Sequence, residues 1–185
     1  MKVSPRVKLV LVMALFAAPI AASFLAYRFA HRAPTANHGE LLLPPAQVGH
    51  AALERPGGGT FSFAAVGGRW VLVTADSGAC AESCLAKLYL MRQVRLAMGR
   101  NADRLARVFI VDDGRDPDPA ALAPYTGMEV VRKPPGGAGA PGVGDRGHVY
   151  LVDPHGNVMM RWSAAADPKG IIRDLELLLR ASQIG

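Results

Sequence analysis

Two cysteines, four residues apart, are the only thiols in a chain of 185 residues. They stand between an apolar strand pattern and a helical one. Trp70-Val71-Leu72-Val73-Thr74 is apolar on both faces, as a strand in the middle of a covered sheet must be. Asp76-Ser77-Gly78 reads as a turn, and Cys80 and Cys84 follow it. Leu85, Leu88, Tyr89, Met91 and Leu96 then recur at helical spacing, ending near Met98 with Gly99 as the stop. The charged Lys87, Arg92 and Arg95 of that helix read as its solvated face. The pair therefore sits at a strand-to-helix turn. Cysteines at i and i+4 share one helix face, close enough to bridge or to hold one ion together. The unpaired N–H groups and dipole of a helix start favour thiolate over thiol. A bridge across so short a loop constrains little chain entropy, so redox or metal chemistry is the stronger reading than a structural staple.

Leu9 to Tyr27 contains no charged side chain. That run approaches the ~20 residues needed to span a bilayer, and it is longer than the ~7–15 apolar residues of a signal peptide. Lys2, Arg6 and Lys8 precede it. The expectation is an uncleaved, single-pass anchor in the inner (cytoplasmic) membrane, with the N-terminus in the cytoplasm and the following domain in the periplasm. Ala21-Ala22-Ser23 is a poor cleavage site, because apolar residues continue past it. The net charge of +6 misleads. Five of the 21 Lys and Arg lie within residues 1–32 with no Asp or Glu, which leaves 16 basic against 15 acidic side chains elsewhere. The domain is near neutral, which argues against a nucleic-acid partner.

The expected division is residues 1–32 as cytoplasmic N-terminus and anchor, 33–59 as linker, and 60–185 as one domain. Pro34, Pro44, Pro45, Pro56 and Gly57-Gly58-Gly59 break regular structure in the linker. No Lys-Ser/Thr follows those glycines, so they make no phosphate loop. His31, His38 and His50 read as solvated. Phe61, Phe63 and Ala65 alternate as one face of a short strand. Val108–Val111 is a second buried strand, parallel to the first across the intervening helix. Asp112, Asp113 and Asp116 read as caps for a turn and for a helix starting near Pro117. A short helix over 120–125 and an edge strand over 128–131 follow. Residues 136–147 hold six glycines and form a mobile loop leading to His148. Val149–Val152 and Val158–Trp162 make a hairpin with His155 at its tip. Asp167-Pro168 opens a last helix with an apolar stripe of Ile171, Ile172, Leu175, Leu178 and Leu179. This order predicts an α/β thioredoxin-like three-layer domain behind a transmembrane helix.

Three segments in one order resemble the Sco/SenC family. They are Trp70 through Cys80-Ala81-Glu82-Ser83-Cys84, the strand ending in Asp112-Asp113-Gly114-Arg115-Asp116, and Val149-Tyr150-Leu151-Val152-Asp153-Pro154. Members of that family are thioredoxin-fold proteins that help to build the copper site of cytochrome c oxidase. The resemblance implies Cu(I) held by Cys80 and Cys84, with a cytochrome c oxidase subunit or another copper or thiol assembly protein as partner. Ala81 stands where the family has Pro. The family's His ligand falls on Asp145, and His148, three residues later, is the candidate third ligand. Cu(I) is a soft ion that thiolates select. Two other readings stay open: a thiol–disulfide reductant of a copper-site or chaperone dithiol, in which one thiol attacks and the other resolves, and a non-catalytic assembly scaffold. A peroxidase-like thiol enzyme finds no motif.

Overall fold

In the computed structural model, residues 4–30, 37–48, 51–137 and 139–182 are described, and they fall into two units. His31 and His50 lie outside the described residues.

The first unit is helix α1, Pro5–Ala30. It is apolar on every side, and its window Pro5–Arg28 is long and apolar enough to cross a membrane. A helix with no polar face needs an apolar surrounding, so this element fits a single-pass membrane anchor.

The second unit is built on one eight-stranded sheet. Its strands are β1 (Glu40–Gln47), β2 (Leu53–Glu54), β3 (Thr60–Phe61), β4 (Trp70–Asp76), β5 (Leu105–Val111), β6 (Glu129–Arg132), β7 (His148–Val152) and β8 (Asn157–Ser163). The order across the sheet is β1-β8-β7-β4-β5-β6-β2-β3. β4, β5 and β6 run parallel, and β7 lies antiparallel to β4. β4 and β5 are buried along their whole length, as their unbroken apolar runs predict. Helix α2 (Glu82–Ala97) connects them, and α4 (Pro168–Ala181) packs beside it on the same sheet face. Between β5 and β6 lies the one-turn helix α3 (Pro119–Leu122). The opposite face is covered by Val48, the 3-10 turn Phe63–Val66 and Ala140 and Val143 of the glycine-rich loop. The α/β thioredoxin-like expectation therefore holds, with the third layer made of loop segments rather than helices.

Four details differ from the sequence reading. Residues 40–47 and 53–54, placed in a linker, are strands of the sheet. β1 tolerates Pro44 and Pro45 because it is an edge strand whose register with β8 breaks between Leu41 and Ala46. The alternation at Phe61, Phe63 and Ala65 gives only the two-residue β3, because the backbone tightens into the 3-10 turn at Phe63. The strand expected at an edge, β6, is interior, because β2 and β3 pair beyond it. The helix expected near Pro117 begins at Pro119, and Asp118 caps it by accepting from the N–H of Ala120.

The stripe on α4 buries Ile171, Leu175 and Leu179, and it carries one charge inward. Asp174, 2 % exposed, accepts from the N–H groups of His38 and Gly39 at 3.1 and 2.8 Å and from Trp162 Nε1 at 2.9 Å. This carboxylate fastens the start of β1 to the helix layer.

Candidate functional site

The site grows from the carboxyl end of β4. Asp76, its last residue, accepts from the N–H of Ser77 at 2.8 Å. The Ser77 hydroxyl accepts from the N–H of Ala79, and its carbonyl accepts from that of Cys80 at 3.0 Å. Asp113, just past β5, accepts from the N–H of Gly78 at 3.0 Å. A Cβ on Gly78 would stand 2.0 Å from the Arg115 carbonyl oxygen, so only glycine allows the two loops this approach. Hydrogen bonds from the Ser77 hydroxyl and the Gly78 N–H, aided by Arg115, hold the Asp113 carboxyl at about 2.

This turn delivers Cys80 in the left-handed region, with φ 36°, a conformation uncommon for any residue but glycine. Ala81 is the N-cap of α2, and Cys84 is the third helical residue. The two sulfurs are joined in a disulfide with Cα atoms 5.0 Å apart. Cys84 is fully buried and Cys80 is 6 % exposed, so Cys80 is the edge of the bridge that meets solvent.

Below the bridge lies a group of charges that the sequence reading did not assemble. Lys87, read as solvated, is 1 % exposed. Its Nζ is 2.7 Å from Asp76 Oδ2, donates to the Ala75 carbonyl at 3.2 Å and donates to the Arg146 carbonyl. Arg146, from the glycine-rich loop, grips Asp112 with Nε and Nη2 at 2.9 and 2.6 Å. That carboxylate holds the Arg146 guanidinium above its ordinary pKa. The correction for Asp112, Asp113 and Asp116 follows. Asp113 does cap a turn, accepting from the N–H of Arg115 as well as that of Gly78, but none caps a helix: Asp112 pairs with Arg146 and Asp116 with Arg132. A signal for Lys87 was present, since it falls between Cys84 and Leu88 on the buried stripe of α2. Nothing in the sequence marked Arg146.

His148 is not gathered with the cysteines. Val149 and Leu151 of β7 face the cluster that holds the disulfide, while Tyr150 and Val152 face the other cluster. By strand alternation His148 belongs with Tyr150. Its ring is 6.1 Å from that of Tyr150, and its Nδ1 is 2.9 Å from Asp145 Oδ2. Asp145, where the family resemblance would set a ligand, accepts from the Gly147 N–H; with the nearby His148, this lowers its carboxyl pKa. Among the described residues no three His, Cys, Asp or Glu side chains converge. His155 is exposed at the hairpin tip, and Trp70 and Trp162 are core residues. An open cleft of about 660 Å³ lies along the glycine-rich loop, lined by Lys133, Arg146, Tyr150 and Arg161 among others, and neither sulfur reaches it.

A parallel-stranded core with a bridged Cys-x-x-x-Cys between its first buried strand and the following helix defines the class: a thioredoxin-like dithiol domain. More particularly, the chain belongs to the family described as transmembrane-like, thioredoxin-like, C-terminal domain, which matches residues 70–182. No curated protein matches the sequence. Among solved structures, it is similar to the apo Sco1 protein of Thermus thermophilus, with TM-score 0.61 and 20 % identity, over 77 % of this chain and 96 % of that one. It is similar to copper-bound ScoI of Bradyrhizobium japonicum, with TM-score 0.55 and 21 % identity, over 71 % and 99 % of the two chains. The thioredoxin domain of a thiol-disulfide oxidoreductase from Bacteroides vulgatus gives TM-score 0.52 and 16 % identity, over 74 % and 99 %. The likeness to Sco proteins read from the sequence is thus present in the fold.

Proposed function

We propose that this chain is a membrane-anchored, outward-facing dithiol protein that assists assembly of the cytochrome c oxidase copper site, taking and passing Cu(I) through reduced Cys80 and Cys84. The observation that carries this reading is the cysteine pair at the strand-to-helix turn of a Sco-like fold. One Sco relative of that fold has copper bound. Reduction of the bridge would free two thiolates on residues whose Cα atoms are 5.0 Å apart, with Cys84 among the unpaired N–H groups of the first turn of α2. Two thiolates suit Cu(I) as cargo; Cu(II) calls for additional nitrogen or oxygen donors. His148, on the other sheet face, is not needed for the Cu(I) site.

A second reading has its own support. The cysteines are bridged, and one structural relative is a thiol-disulfide oxidoreductase. In that reading the dithiol gives two electrons and two protons to a partner's disulfide and itself becomes the Cys80–Cys84 bridge.

Anaerobic titration of the reduced full-length chain in detergent, with Cu(I) against a competing chelator, separates the two. One Cu(I) per chain is expected, lost at least a hundredfold in affinity in Cys80→Ser and Cys84→Ser, changed less than threefold in His148→Ala, with no stable Cu(II) complex. Tight Cu(II) binding that His148→Ala abolishes would overturn the two-thiolate site. No Cu(I) binding, with reduction of partner disulfides retained, would move the function to the reductant.

A further inference from the structure

We infer that Lys87 is a positioning residue for the dithiol, holding the Cys80 turn against the helix that carries Cys84 when the bridge is open. The inference rests on the reading of Cys80 and Cys84 as a cycling pair. A buried ammonium is costly, and apolar packing at such a position is often at least as stable as an ion pair. Lys87 is nevertheless buried, one helical turn past Cys84. Its three N–H donors have three acceptors: Ala75 O, Asp76 Oδ2 and Arg146 O. Ala75 and Asp76 end the strand that runs into the Cys80 turn. Arg146 in turn grips Asp112, next to the Asp113 that holds Gly78 in that turn.

Among the described residues, Lys87 makes the side-chain polar contacts between α2 and the end of β4, and the disulfide ties α2 to the Cys80 turn that follows that strand. When the disulfide is reduced, the ammonium remains as the polar side-chain link from α2 to the strand end that leads into the turn. This matters because Cys80 sits at φ 36°. A non-glycine residue there persists only where its surroundings hold it. With Lys87 in place, the reduced turn keeps the geometry that re-forms the bridge. Without it, the reduced turn relaxes, the two thiols separate, and the dithiol is favoured over the disulfide.

The test equilibrates the full-length chain in detergent with glutathione buffers. Two glutathione thiols reduce the bridge to the dithiol and leave as glutathione disulfide, and the oxidised fraction is read by thiol alkylation. Lys87→Met should shift the equilibrium about tenfold toward the dithiol, about 30 mV for this two-electron couple. The double variant Asp76→Leu/Lys87→Met removes both charges and keeps apolar packing, so its melting temperature should return toward wild type. Its thiol equilibrium should stay shifted. A double variant with the wild-type equilibrium constant would overturn the inference, since the pair would then serve stability alone; this holds even where Lys87→Met by itself fails to fold. A wild type that does not exchange with glutathione at all would instead sink the dithiol reading beneath it.

Discussion

Asp113 shows how one carboxylate ties the site to pH. It accepts from Ser77 and from the N–H of Gly78, and its pKa is held at about 2, below the ~3.9 of a free aspartate. The folded protein thus binds this proton less readily than the unfolded chain. The stabilisation is present above about pH 4 and is lost as pH falls toward 2. Asp113→Asn keeps an acceptor for Gly78 and removes the charge. Its acid unfolding curve, followed by circular dichroism in detergent, should be flatter than wild type between pH 4 and 2. A curve parallel to wild type throughout that window would show that the charge contributes nothing to the turn. Lys87 and Asp113 grip neighbouring residues of the same turn, one through a buried ion pair with Asp76 and one by accepting hydrogen bonds from Ser77 and Gly78.

At the scale of elements, α4 and β1 depend on each other through Asp174. Burial alone would raise its pKa, but hydrogen bonds from Trp162, His38 and Gly39 outweigh that and lower it. Gly170 leaves room for His38, since a Cβ there would meet the imidazole at 2.8 Å. Asp174→Ala would strand buried N–H donors from three residues and free the edge strand. The expected cost is about 3 kcal/mol, in the range for hydrogen bonds to a charged group and the penalty for orphaned partners. Urea unfolding of the full-length chain in detergent reads it. Amide exchange should also quicken over residues 38–47 before the β4–β5 core. A loss below about 1 kcal/mol would mean that β1 is held by its pairing with β8 alone.

For the whole molecule, the domain and α1 call for different surroundings. The helix is apolar on every side, whereas the domain closes its own cores on both sheet faces. Lys2, Arg6 and Lys8 before the apolar run set the expected orientation. A reporter active only outside the cytoplasm, fused after Gly185, should be active in cells. One active only in the cytoplasm should be silent. The opposite result, or a mature N-terminus near Ser23, would remove the anchored, outward-facing arrangement. An outward position also suits the chemistry, because disulfides persist in oxidising compartments.

Local pattern carried much of this protein. The uncharged run at the N-terminus, the buried strands β4 and β5 and the stripe of α4 are legible because each needs only periodicity and composition. The Cys-x-x-x-Cys turn is legible because its neighbours in sequence are also its neighbours in space. Residues whose partners are distant in sequence are not. Lys87 lies on the buried stripe of α2, but what satisfies its charge there is completed only by the Arg146 carbonyl, 59 residues away. Leu41-Leu42-Leu43-Pro44-Pro45 looks like linker until β8 offers an edge. His148 is three residues from the family position on paper, but antiparallel pairing of β7 with β4 puts it on the sheet face away from the sulfurs. Propensity and spacing act within a few residues, and they determined the apolar N-terminal helix, the core strands and the cysteine turn. Which charges enter the core, and which face a histidine takes, was decided by strand pairing and helix packing in the tertiary structure.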